Sequence, residues 1–154
     1  MYSRQQASEI RQEFWTIFGQ YLSPQLSADG LKINWINYKT GVPGVSFKMD
    51  ADTRTATIAI ILSQPDPDVR ELYFEQFLQL KTMLHPHLDE QWIWEPIATD
   101  ESGRAISRIY KKMTGVNVMD KNDWPAIISF FKPRIISLDE FWSTAKYTFD
   151  DLRF

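Results

Sequence analysis

Arg104, Ile106, Arg108, Tyr110 and Lys112 alternate along one stretch of the chain, so an extended strand puts them on a single face. Cations interleaved with an aromatic ring are the groups that hold a phosphate backbone and stack a base. Lys111 lies beside them, and Lys48 stands in an earlier alternating stretch, Val45 to Asp50. The same pattern also suits a solvent-facing edge strand, whose charges block pairing with a second sheet. Trp92 and Trp94 share a face in the run before it, with space between two rings for a stacked ligand or a partner's side chain. Arg104, Arg108, Tyr110, Lys112, Trp92 and Trp94 are therefore the candidate binding residues.

Catalytic chemistry has weaker footing. Asp50 with Asp52, Asp66 with Asp68, and Asp100 with Glu101 are acidic pairs, but all fall in turns or at a helix start. Asp favours those places for backbone hydrogen bonds and the helix dipole alone. His85 and His87, followed by Asp89 and Glu90, are the only histidines, and they sit where a helix C-terminus favours partial positive charge. Gly41-Val42-Pro43-Gly44, with Lys39 nearby, reads as a hairpin turn; the alternative is contact with a phosphate. A restriction-type nuclease needs Asp/Glu-x-Lys, and the chain has none. The hydrolase elbow, the dinucleotide and P-loop glycine patterns and H-E-x-x-H are missing too. No catalytic residue, metal site or cofactor is expected.

With 154 residues the chain is expected to fold as one domain, 1–154, burying roughly 70% of the surface its unfolded form exposes. The absence of Cys rules out thiol catalysis, Cys-based zinc sites and a disulfide scaffold. A net charge of −3 argues against a surface that is basic all over, leaving room for one basic patch. The N-terminal stretch lacks a continuous apolar core for export, and the longest apolar run, Ile58 to Leu62, is too short to cross a bilayer. A cytoplasmic location without membrane contact is the expectation.

The elements that position these residues follow from hydrophobic period. Ala7, Ile10, Phe14, Ile17, Phe18 and Tyr21 recur at helical spacing after a Ser3/Gln6 capping box. Leu31, Ile33 and Trp35 alternate as a first strand, Val45 to Met49 as its hairpin partner, and Thr55 to Leu62 as a strand buried on both faces. Asp66 and Pro67 start a helix that runs to about His85 and stops before Pro86. Gln91–Ile97 and Arg104–Lys111 form a second hairpin, with Val116 and Val118 as a stunted further strand. From Trp124 one apolar stripe runs through Pro133 to Leu152, which favours a single kinked helix; Ser137 with Glu140 offers a competing start for a separate one. The expected fold is α+β, in the order α-β-β-β-α-β-β-α: a mainly antiparallel sheet of about five strands with helices on one face.

Sliding the chain by 59 residues aligns Ile10 with Val69, Arg11 with Arg70, Phe14 with Tyr73, Phe18 with Phe77, Gln20 with Gln79, Trp35 with Trp94 and Gly44 with Gly103. One reading is duplication of an α-β-β unit, with halves at about 3–62 and 63–121 and a closing helix at 122–152. The other is that similar amphipathic elements share a period.

The segments NWINYKTGVPGVSFKMD, RELYFEQFLQLK, SRIYKKMTGVNV and DWPAIISFFKPRIISLDEFW together resemble an uncharacterised bacterial family, a domain of unknown function, from about Trp15 to Phe149. The resemblance implies that in some larger proteins such a domain follows a nuclease-like part, and it supplies no catalytic residues. The functional expectation is a non-enzymatic interaction module with a protein or nucleic-acid partner. The alternatives are an accessory part of a nucleic-acid-processing or defence enzyme, and a small-ligand-binding domain.

Overall fold

Ser3 opens the first helix, α1 (Arg4–Leu22), through the expected reciprocal cap: its hydroxyl accepts from the Gln6 amide while the Gln6 side chain accepts from the Ser3 amide. The computed structural model describes residues 2–152. Then come β1 (Val45–Ala51), β2 (Thr55–Leu62), α2 (Pro67–Gln79), α3 (Lys81–Leu88), β3 (Ile93–Thr99), β4 (Ala105–Thr114) and α4 (Trp124–Ala145), followed by a 3-10 stretch, Lys146–Leu152. One antiparallel sheet has the order β1-β2-β4-β3. Among the described residues four strands thus stand where about five were expected.

The missing strand is Leu31–Trp35, which lies in irregular chain. The Asn34 side chain accepts from the Ile36 and Asn37 amides, closing a local turn that competes with a ladder. The Trp35 indole donates to the Gln25 carbonyl and turns the ring inward instead of onto a sheet. β1 therefore pairs with β2, and Gly41–Gly44 ends a long connection rather than a hairpin. Val116 and Val118 form no strand either; the Val116 and Val118 amides donate to the Arg54 and Asp52 carbonyls at the β1–β2 turn. The expected helix from Asp66 divides at Leu80 (φ −87°, ψ 1°), and Pro86 lies inside α3 rather than after the helix end. α4 is continuous through Pro133.

The register of 59 lays β1 on β4, yet β1 is an edge strand and β4 a central one. It also matches Trp35, in irregular chain, with Trp94 in β3. α1 packs on α4, whereas α2 reaches β2 and β4. The two halves thus hold their helices differently. What the strand order does pair is one complete hairpin with the other, β1–β2 beside β3–β4.

One core joins the helices to one side of the sheet. Phe47, Ile58, Ile60, Leu62 and Ile109 of the sheet meet Phe14, Phe18, Phe77, Leu84, Ile135, Leu138 and Trp142 of the helices. The 22 residues at positions 23–44 have no regular structure, and they are tied to α4 by polar contacts. Asp139, buried at 5% exposure, accepts from the Tyr38 hydroxyl at 2.6 Å and from the Ala28 amide at 2.7 Å. The Trp142 indole donates to the Thr40 carbonyl at 2.8 Å.

Gly44 ends this segment at φ +81°, and a Cβ there would lie 2.8 Å from the buried Gln64 side chain. Gly41 has φ +77° with nothing within 4 Å of a Cβ. Gly41→Ala is expected to lose only the left-handed backbone preference, about 1 kcal/mol. Gly44→Ala must also displace Gln64 and is expected to lose about 2–3 kcal/mol. Equal urea midpoints for the two variants would contradict the steric part.

Candidate nucleic-acid interface

The register of the three strand pairs fixes the residues on the sheet face turned away from the helices. One cross-strand row is Lys48, Ala59, Tyr110 and Ile93; the next is Ser46, Ile61, Arg108 and Glu95; a third is Asp50, Thr57 and Lys112. None of these residues belongs to the helix-side core. The alternation that put Arg108, Tyr110 and Lys112 on one face holds, and β3 adds Glu95 beside them.

Glu95 organises the centre of this face. Arg108 Nε lies 2.9 Å from Glu95 Oε2, and Arg108 Nη2 lies 3.4 Å from Oε1. The Tyr110 hydroxyl donates to Oε1 at 3.0 Å. The Arg108 guanidinium also stands 4.2 Å from the Tyr110 ring centroid, and Lys112 Nζ stands 6.0 Å from it. Arg108's hydrogen bonds are the main reason the Glu95 carboxyl sits below its ordinary range, and Tyr110's bond adds to them. Burial, then the Glu95 hydrogen bond, raises the Tyr110 phenol. Tyr110 is 7% exposed and its ring carries two cations of its own chain, so it is closed to a stacking base.

Arg104 lies just before β4 in the β3–β4 turn. Its side chain is 79% exposed, with Nε 3.4 Å from Asp100. The Asp100 carboxyl is held low chiefly by the Arg104 amide, with help from Ser102 and from the Arg104 and Lys48 charges. Lys48 and Lys112 are exposed and have no carboxylate within 4.0 Å among the described residues. Neither forms an ion pair among the described residues, although the Lys48 charge acts on Asp100 and Lys112 stands over Tyr110.

Trp92 and Trp94 lie on the other side of the sheet, in contact with the helix-side core. The Trp92 indole donates to Glu90 Oε2 at 2.8 Å, and Trp94 packs edge-on to Phe74 with Lys81 Nζ 5.2 Å from its ring. The space left beside the two rings is about 10 Å³, less than an aromatic ring fills. The sheet separates them from Arg108 and Tyr110, so the six candidates form no single patch. No group of three or more His, Asp or Glu among the described residues is placed to hold a metal ion.

Two features were not singled out from sequence. Glu95 becomes visible only once the β3–β4 register is known, because its partners are 13 and 15 residues away. Asp139 left a signal in the helical phase: it falls four residues after Ile135 and three before Trp142, within the apolar stripe.

A family defined as a domain of unknown function, DUF4268, matches residues 10–146. The chain belongs to this family. No curated protein and no solved structure matches it. The DUF4268 match spans all four strands and all the α-helices except the first turns of α1, and ends where the 3-10 stretch begins. Among the described residues no helix is long and apolar enough to cross a membrane.

Proposed function

We propose that this DUF4268 domain is a non-enzymatic interaction module that takes a nucleic-acid backbone on its open sheet face. The observation that carries the reading is the pair of lysines with no carboxylate within 4.0 Å among the described residues, Lys48 on β1 and Lys112 on β4, about 12 Å apart: two strand spacings across and two residues along. Arg104, at the end of the β3–β4 hairpin, is exposed but stands 3.4 Å from Asp100 and adds little net charge. Arg108, neutralised by Glu95, stiffens the face rather than contacting phosphate. Because the Tyr110 ring is covered, contact runs through charge and is indifferent to base sequence. The nuclease-like neighbours implied by the family resemblance fit this use.

Two or three phosphate contacts predict an affinity for single strands that falls about tenfold between about 50 and 200 mM salt. Fluorescence anisotropy of a labelled single-stranded DNA measures it. Lys48→Glu with Lys112→Glu is expected to weaken binding at low salt by more than about tenfold, since repulsion replaces attraction. Undiminished binding by that variant, or no binding by the unaltered protein at low salt, overturns the assignment. In the second case a protein partner becomes the alternative for this face.

A further inference from the structure

The 23–44 segment does not lie flat on α4; it leaves a cavity of about 490 Å³ against it, partly open to solvent. We propose that this cavity binds a small primary amine with an apolar body. Its size falls in the range of small-molecule sites. Asp139 and Trp142 of α4 line it on one side, and Leu31, Ile33, Tyr38 and Lys39 of the segment on the other.

The chemistry follows from Asp139, the only buried Asp, Glu, Lys, Arg or His among the described residues. Both of its hydrogen-bond donors, the Tyr38 hydroxyl and the Ala28 amide, are neutral. No cationic side chain lies within 4.0 Å of it among the described residues. A carboxylate accepts about four hydrogen bonds, so lone pairs remain for a further donor. A buried charge without a counter-charge is costly, and a cationic guest removes that cost. Burial and the bond to Asp139 raise the Tyr38 phenol, so Tyr38 stays a donor and does not compete as an anion.

The walls supply the rest of the recognition. The half-buried Tyr38 ring suits both an ammonium group and an apolar body, and Leu31 and Ile33 extend the apolar side. Of the two lysines lining the cavity, Lys146 lies 3.6 Å from Asp29 and is neutralised there. Lys39 has no such partner among the described residues, so it repels a cationic guest. Long irregular segments inside compact domains are uncommon and usually functional, and this one is ordered around the carboxylate.

Isothermal titration of the full chain with phenethylammonium chloride tests the assignment. Saturable binding is expected, with 2-phenylethanol, the same body without charge, at least about tenfold weaker. Asp139→Asn is expected to reduce amine affinity by about tenfold or more while leaving the alcohol unchanged. Should that variant fail to fold, Lys39→Glu carries the test: it alters an exposed side chain and is expected to tighten the amine severalfold and not the alcohol. Equal binding of amine and alcohol, no saturable heat up to about 10 mM amine, or no tightening in Lys39→Glu overturns the proposal. Preferential binding of phenylacetate also overturns it and assigns the cavity to anions through Lys39. The Lys48/Lys112 variant leaves amine binding intact, so this site and the sheet face fail or succeed separately.

Discussion

Trp142→Ala is expected to lower the free energy of unfolding by about 4–5 kcal/mol, a large share of the roughly 5–15 kcal/mol that holds a domain together. The ring is 2% exposed and stands at the junction of three elements. It stacks on Phe77 of α2 at 6.0 Å and 9°, meets Phe47 of β1 edge-on at 5.5 Å, and lies 5.3 Å from Phe149 after α4. Truncation removes those contacts, opens a cavity that rigid neighbours cannot fill, and leaves the Thr40 carbonyl without its donor. Trp142→Phe keeps most of the ring area and is expected to lose less than half as much. Urea unfolding of both variants separates packing from the indole bond; a small effect of Trp142→Ala would mean that the 23–44 segment collapses into the gap.

The second large effect concerns Glu90 and Arg134, which fasten the entry to β3 onto α4. Arg134 donates from Nε and Nη2 to the two Glu90 oxygens, both at 2.8 Å, and from Nη1 to the Phe130 carbonyl. The guanidinium also covers the Phe130 ring at 4.3 Å. Both partners are about a fifth exposed, so removing Arg134 strands a mostly buried carboxylate. Arg134→Ala is expected to lose about 2–4 kcal/mol, at the low end of what a fully buried pair would give. Burial opposes ionisation of Glu90, but hydrogen bonds from Arg134 and Trp92 and the charges of Arg134 and Lys111 outweigh it, so its pKa is lowered. A lowered carboxylate pKa stabilises the fold above the ordinary value of 4.5 and loses that contribution as pH falls through the depressed value. Wild type and Glu90→Gln should therefore differ most near neutrality and converge in acid. A gap that persists at low pH would assign the stability to packing rather than charge.

Local signals in the sequence were reliable where the deciding contacts are local. Ser3 and Gln6, Asp66 and Pro67, and the apolar run of β2 each specify their element through near neighbours, and each element starts where they place it. Leu31–Trp35 shows the limit. Its alternation is that of a strand, but a turn at Asn34 and an indole bond to Gln25 settle it otherwise. At the candidate interface the shared face of Arg108, Tyr110 and Lys112 was legible from period two, whereas the covering of Tyr110 was not. That covering depends on Glu95, brought opposite Arg108 by the pairing of β3 with β4. The placement of Trp92 and Trp94 also turned on tertiary context, since an apolar stripe on a strand does not say which side the helices cover. Asp139 stood in the apolar phase of α4, but its partners are 101 and 111 residues distant.

Those two distant partners belong to one stretch of chain, and this has a kinetic consequence. The bonds from Ala28 and Tyr38 end on the same carboxylate, so lifting the segment away from α4 breaks both at once. Opening is then a single event with its own free energy, lower than that of global unfolding, and it is read at the amide that ends on Asp139. In deuterated solvent the Ala28 amide, whose acceptor is Asp139, should exchange at that opening rate, well before the amides of β2 and β4.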